Sequence, residues 1–409
     1  MKLWRSGIIW SVLGFVGGLG NLAFSALIGQ RMPGEYADTS SLLNFISLLG
    51  LPLTMVATAL VHYIAHFRGQ NDEARLQGLL AGCQSFLLKA TIAGSILAVA
   101  LADPLGRFFH FRTTLMLTAL VCVLVGLWSG FAVALCQGMA WFKRLAVIGL
   151  VAVGLRLLFG WVVTMYIPKA EMAVSATTFS LLANLSLLYW WKDIFRHGAA
   201  RISPWNREFV NFLLVTAAYV AGNFFFLSGD ALVAKRYFMA DDNKAYQAAG
   251  TLARAIPFSV TPLLLVMFTS RSGSKKGPAI SEQRILLILF AAGLTCGACG
   301  LIAFRNTWVR IILKQPVNAA SMLIPLAITM VFGGLSQAIG IWSLASRWLK
   351  VVALYGFLGL AYWLTLLVVG HTPPLLLHTM PVATAMAFGI LCATWLLTLS
   401  QKTRDHAVA

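Results

Sequence analysis

Residues 113–136 read TTLMLTALVCVLVGLWSGFAVALC, a stretch without a single charge. A helix needs about 20 apolar residues to cross the hydrocarbon core of a bilayer, and this stretch is apolar on every face rather than along one stripe. Eleven further runs of this kind follow from the same reading. They lie at 7–28, 41–65, 79–101, 145–167 and 173–191 in the first half, and at 209–228, 245–269, 285–304, 321–345, 351–369 and 382–399 in the second. The alternating apolar and polar segments of a membrane barrel are absent. The sequence therefore predicts an all-α polytopic membrane protein of about twelve transmembrane helices.

Composition supports that class and removes others. Of 409 residues, 59% are hydrophobic and 11% are charged, against about 25% charged in ordinary soluble domains. Lys and Arg number 31 against 13 Asp and Glu, a net charge of +18. A soluble nucleic-acid binder does not fit so apolar a chain, so membrane lipids are the expected surroundings and nucleic acid is not an expected partner. A disordered basic tail is excluded, since 12% of the residues are aromatic. Most of the cations fall in loops, where their bias sets orientation. Lys2, Arg5, Arg68, Arg75, Lys143, Arg144, Lys192, Arg196, Arg201, Arg207, Arg271, Lys275, Lys276, Arg284, Arg347, Lys350, Lys402 and Arg404 would share one side. The opposite side collects fewer: Arg31, Arg107, Arg112, Lys169, Lys235, Arg236, Lys244, Arg305, Arg310 and Lys314. Both termini are expected in the cytoplasm, with Trp141, Trp190, Trp191, Trp205 and Trp348 as an interfacial belt on that side. The first apolar run lacks a small-residue cleavage site and reads as a true span rather than a signal peptide.

The chain divides at its midpoint. Residues 1–195 are expected to form an N-terminal six-helix bundle and 196–208, with Pro204, a basic cytoplasmic linker. Residues 209–400 form a second six-helix bundle, and 401–409 a cytoplasmic tail. An internal repeat appears at an offset of 210: Tyr36 matches Tyr246 and Pro52 matches Pro262. A proline within a span removes a backbone hydrogen bond and bends the helix. Pro52 and Pro262 thus either shape packing or provide paired kinks on which the halves rock.

Met32-Pro33-Gly34-Glu35-Tyr36-Ala37, followed by a long second span, resembles the G-x-Y start of the second helix in polysaccharide transporters. Ser228-Gly229-Asp230-Ala231-Leu232-Val233 and Ala245-Tyr246-Gln247-Ala248-Ala249-Gly250 resemble that family's seventh-helix Asp and the Tyr-containing start of its eighth helix. These are the O-antigen and exopolysaccharide flippases of the multidrug/oligosaccharidyl-lipid/polysaccharide exporter superfamily. The likeness covers essentially the whole chain and lies in layout more than in residues; the second copy has Lys244-Ala245 where the family often has Gly before the Tyr. It implies a flippase for a polyprenyl-pyrophosphate-linked oligosaccharide in a bacterial inner membrane, with polysaccharide assembly proteins as further partners.

Three cations resist assignment to loops: Lys89 in the third span, Arg156 in the fifth and Arg254 in the eighth. Each costs about +2.5 to +3.5 kcal/mol at the bilayer centre when it faces lipid. The thirteen acids fall in loops or at span ends, the nearest to the interior being Asp230, so the three cations read as unpaired. They are expected to line a cationic cavity suited to a pyrophosphate, Arg as a bidentate fork and Lys as a point charge. Asn44 and Asn223, with Asn21, Gln84, Asn184 and Gln337, either bond sugar hydroxyls or tie helices together. Asn223-Phe224-Phe225-Phe226 offers either a stacking surface for sugar or apolar core. Asp230 and His62 are the candidates for ion coupling, His62 because histidine titrates near neutral pH.

Catalytic chemistry finds no support in the sequence. Cys296 and Cys299 have CxxC spacing but lack a second ligand pair, and all six cysteines read as buried reduced thiols. No phosphate-binding loop or nucleophile elbow is present, so no metal or cofactor is expected. Two alternatives to the flippase stand beside it. One is a multidrug cation antiporter of the same superfamily, which would be expected to carry acidic residues in its cavity. The other is a polytopic glycosyltransferase or ligase.

Overall fold

In hydrocarbon the backbone must satisfy its own N–H and C=O groups, and the described residues of this chain do so with helices alone. The computed structural model describes residues 3–109, 111–190, 207–273, 280–313 and 318–408. The first half holds α1 (Leu3–Arg31), α2 (Tyr36–Leu49), α3 (Leu51–Gln70), α4 (Glu73–Phe109), α5 (Thr113–Gly138), α6 (Phe142–Tyr166) and α7 (Ala170–Trp190). The second holds α8 (Arg207–Leu227), α9 (Gly229–Tyr237), α10 (Ala240–Gly273), α11 (Ile280–Ala303), the one-turn α12 (Arg305–Thr307), a π-helical turn Trp308–Leu313, α13 (Asn318–Ala345), α14 (Leu349–Val369) and α15 (Pro373–Val408). Each expected span coincides with a helix or, for 41–65, with the pair α2 and α3.

Among the described residues, nine helices are long and apolar enough to cross a membrane, or ten with α2 and α3 counted as one bent span. The reading of about twelve adds α1 and α7, helices of 29 and 21 residues. At 1.5 Å per residue both exceed about 30 Å. Ser175, Thr177, Thr178, Ser180 and Asn184 dilute the apolar character of α7. Residues 191–206, and with them most of the expected linker, lie outside the described residues, as do Lys2, Lys275, Lys276 and Lys314. Residues 401–408 continue α15 as helix.

Two helical bundles result. In the first, α6 packs on α1 and α7, and α5 on α3, α4 and α7. In the second, α13 packs on α10, α11 and α15, and α14 on α8 and α15. The bundles meet where α10 lies along α1, α2 and α3, and where α8 meets α3. Large apolar side chains such as Ile96, Val99, Ile288, Phe357, Val368 and Met386 stay exposed, as a surface solvated by lipid requires.

The prolines behave differently in the two halves. Pro52 occupies the first turn of α3 and has no N–H to offer the preceding turn. With Gly50 beside it, the span breaks and bends by 52°. Pro262 sits inside α10, which runs unbroken through both Pro257 and Pro262. The expected pair of kinks is therefore one break and one continuous helix. Val260 stands where the first half has Gly50, and glycine is the residue that weakens a helix next to a proline.

A second internal repeat is backbone-deep. Ala140 and Arg347 both adopt a left-handed conformation, φ 54° and 56°, and each precedes a tryptophan. Trp141 N–H bonds the Cys136 carbonyl and Trp348 N–H the Ser343 carbonyl, both at 2.8 Å. Each is the six-to-one bond of a helix C-terminal motif, so α5 and α13 end alike.

Glycines let helices touch in the second bundle. A Cβ at Gly359 of α14 would stand 2.7 Å from the Gly222 Cα of α8. Gly359→Ala should cost about 1–3 kcal/mol through forced separation, read as a lowered melting temperature of the purified protein in detergent. Cys83, Cys122 and Cys136 are buried as expected, but Cys296 and Cys299 are exposed, because they fall on the outward face of α11 and not on its packed one.

Candidate functional site

α1 ends beside the loop before Tyr36, and α15 starts where Asp38 meets Lys235 and Tyr237 meets His371. The start of α1 and the end of α15 therefore share the opposite face, here called the terminal face, and the loop before Tyr36 marks the far face. Between them, where the bundles meet, α2 presents a polar stripe. Ser40, Asn44 and Ser47 recur at helical spacing and turn toward α10, with Tyr36 at the head of the same face. Tyr36 Oη donates to Thr251 Oγ1 at 3.4 Å, and the Ser40 hydroxyl meets Thr251 Oγ1 at 3.4 Å. The Asn44 amide donates to the Ser40 carbonyl.

Beside this stripe lies a cavity of about 360 Å³. Its walls come from α1 (Gly18, Asn21, Ser25), α2 (Ser40, Asn44, Ser47), α6 (Arg156), α7 (Thr177) and α10 (Thr251, Arg254, Phe258). Two arginines, one from each bundle, thus face one space, and no Asp or Glu is among its described lining residues. At the offset of 210 Asn44 corresponds to Arg254, and both stand on this wall.

Arg156 is held by neutral groups. Its Nη1 donates to Asn21 Oδ1 at 2.7 Å, and its guanidinium lies 4.0 Å from the centre of the Phe24 ring. Its Nε is buried without a partner among the described residues. Such an N–H is a donor waiting for an acceptor.

Arg254 is held by a charge, which corrects the reading of three unpaired cations. Its Nη2 lies 2.6 Å from Asp230 Oδ2 and its Nε donates to the Leu227 carbonyl at 2.9 Å. The cause is the end of α8 at Leu227 and the restart of the chain as α9 at Gly229. That break carries Asp230 into the protein, where it is 0% exposed, and leaves the Leu227 carbonyl to be capped by a cation. Tyr246 Oη also donates to Asp230 Oδ2, at 2.5 Å, while Oδ1 has no partner among the described residues. Tyr246, read in the sequence as a repeat marker and as part of the resemblance but not as a site residue, is thus part of the ion pair's surroundings.

The structure does not bring the other candidates here. Lys89 is exposed on α4, on the face that carries Ile92 and Ile96, so the expectation that it lines the cavity fails. A long flexible stem can carry its ammonium along the apolar surface instead. Asn223 lies on α8 away from the cavity wall. Its neighbours Phe224 and Phe226 are buried, and Phe225 and Phe226 pack on the α14 rings Trp363, Tyr355 and Tyr362. The run is core, not a sugar platform. Asn184 ties α7 to Ser129 of α5.

His62 sits near the terminal face, between the bundles. Its Nδ1 is 2.8 Å from Ser272 Oγ and its Nε2 is 3.4 Å from Arg347 Nη2. Arginine only donates, so Nε2 is the accepting nitrogen and Nδ1–H donates to Ser272. Arg347 also pairs with Glu208 at 3.1 Å. At the far face Lys235 Nζ pairs with Asp38 Oδ1 at 2.6 Å, again across the bundles. Both ends of the inter-bundle seam are thus latched by polar contacts. No cluster of metal-binding residues exists among the described residues.

No family model matches the chain, and no curated protein matches it by sequence. Solved structures do match in fold. An inward-facing multidrug resistance MATE family transporter of the MOP superfamily superposes with a TM-score of 0.73 at 11% identity, over 96% of this chain and 99% of that one. An outward-facing structure of such a transporter gives 0.73 at 12% identity, over 100% and 98%. A MOP superfamily transporter from Pyrococcus furiosus, described as having a binding pocket of reverse polarity that suggests a different function, gives 0.70 at 12% identity, over 98% and 96%. The likeness over nearly the full length of each chain is one of fold: two helical bundles of the kind these transporters share.

Proposed function

We propose that this chain is a multi-pass transporter of a bacterial inner membrane. It would translocate a polyprenyl-pyrophosphate-linked oligosaccharide for polysaccharide biosynthesis, with both termini in the cytoplasm. The observation that carries the reading is the cavity between the bundles, with one arginine from each and no carboxylate among its described lining residues. A pyrophosphate presents several acceptor oxygens to two such forks, while Asn21, Ser40, Asn44, Ser47 and Thr251 offer neutral hydrogen bonds to sugar hydroxyls. In the present conformation the space suits a head group, leaving the prenyl tail in the bilayer. Transport then requires opening one latch while the other closes: Asp38–Lys235 at the far face, His62 with Ser272 and Arg347 at the terminal face. The break at Gly50 and Pro52 lies next to the cavity wall and is the natural hinge.

A second reading, a multidrug cation antiporter, is favoured by the fold's nearness to transporters described as multidrug resistance proteins. The two part on the sign of the cargo. Purified protein in liposomes should move a labelled polyprenyl-diphosphate oligosaccharide between leaflets and leave a cationic dye unmoved. Dye movement without lipid movement would overturn the proposal. Sugar transfer to a lipid acceptor by the purified protein would instead reveal a glycosyltransferase.

A further inference from the structure

The two cavity arginines are neutralised differently. Arg156 rests on a neutral amide and a ring face, so its charge is available to the cavity. Arg254 lines the same cavity but gives Nη2 to a carboxylate that is itself sealed from it. Gly250, one turn earlier on α10, is what leaves room for this guanidinium: a Cβ there would stand 2.7 Å from Nη1. A ligand with one negative charge is matched by Arg156 alone. A diphosphate needs the second cation as well.

From this geometry we infer that Asp230 is a built-in competitor for the anion: it holds Arg254 while the cavity is empty and yields it when a diphosphate enters. The inference rests on the cationic-cavity reading above and adds how affinity is set. The guanidinium is the only moving part. It exchanges Asp230 Oδ2 for a phosphate oxygen on the cavity side. Asp230 is left with the Tyr246 hydroxyl as donor, so the loss of its cation opposes binding. The groups around Asp230 that set this balance are Arg254 and Tyr246 of α10, with Tyr362 of α14, whose buried hydroxyl has no partner among the described residues. Measured affinity is then the difference between two competing anions. A lipid-borne diphosphate, once moved, is released because Asp230 recaptures the arginine.

The competition predicts opposite signs for two substitutions, which a merely structural role for the pair does not. Asp230→Asn removes the competing charge and frees Arg254, so the full-length purified protein should bind inorganic pyrophosphate at least roughly 10-fold more tightly, the ratio for about 1.4 kcal/mol. Tyr246→Phe removes the donor that supports Asp230 once its cation leaves, so pyrophosphate should bind more weakly than to wild type. Titration calorimetry in detergent reads both. Farnesyl diphosphate in parallel distinguishes a lipid head group from free diphosphate: a further gain for the prenylated probe in every variant marks the lipid form as cargo, and equal affinities mark the free ion. Folded Asp230→Asn protein that binds pyrophosphate no better than wild type overturns the inference and leaves the cavity reading standing. If Asp230→Asn fails to fold, unchanged or tighter binding by Tyr246→Phe overturns it equally. Binding of neither probe by wild type or either variant overturns both.

Discussion

Replacing Arg156 with alanine should lower export of lipid-linked oligosaccharide roughly 10- to 100-fold while leaving the protein folded. A hydrogen bond to a charged group contributes about 1.5–3 kcal/mol, and every 1.4 kcal/mol is tenfold. Arg156 lines the cavity and keeps a buried Nε without a partner among the described residues, and the Phe24 ring against its guanidinium fixes its direction. The fold should tolerate the loss, because Asn21 is exposed and can take a water in place of Nη1. Arg156→Lys should fall between the two, since an ammonium keeps the charge but not the planar fork. Surface polysaccharide of a complemented strain, normalised to membrane protein level, is the measurement. Normal export by Arg156→Ala would remove this residue from the path and with it half of the cationic cavity.

The largest effect on stability should come from Arg254→Ala, at about 3–5 kcal/mol, the cost of leaving a buried charge without its partner. Asp230 has no route to water, being 0% exposed, whereas Arg254 reaches the cavity, so removing the cation is the more damaging half of the cycle. The Leu227 carbonyl loses its cap in the same step. Asp230→Asn with Arg254→Met should recover most of the loss, since a buried ion pair replaced by groups of similar volume is often near neutral. The double variant should nonetheless fail to bind pyrophosphate. Thermal unfolding in detergent separates these: equal melting temperatures for Arg254→Ala and the double variant would show that the uncompensated carboxylate is not the cause.

The helices were legible because hydrocarbon leaves an apolar chain little choice, and charge clusters, Gly and Pro mark its ends. Arg156 and Arg254 were legible for the same reason in reverse: a cation in mid-span must have a destination. The argument misled at Lys89, where a flexible stem needs no inward destination. It also misled at Asp230. A carboxylate beside a span end looks solvated in sequence, and only the break between α8 and α9 folds it inward. The Ser40, Asn44 and Ser47 stripe could have been found by its helical spacing. The matched turns before Trp141 and Trp348 could not, because Ala140 and Arg347 share a backbone conformation and nothing in their side chains.

Asn44 and Arg254 occupy equivalent places in the two repeats and share one wall. An assembly of two identical six-helix chains would have to carry the same residue at both places, two amides or two guanidiniums across its axis. Joining the repeats in a single chain lifts that obligation. It allows one cation to be tethered by Asp230 on one side only, and it gives the cavity a direction across its width. An anion entering here would meet an arginine held by neutral groups on one side and an arginine tethered to a carboxylate on the other, so it could be oriented as well as held.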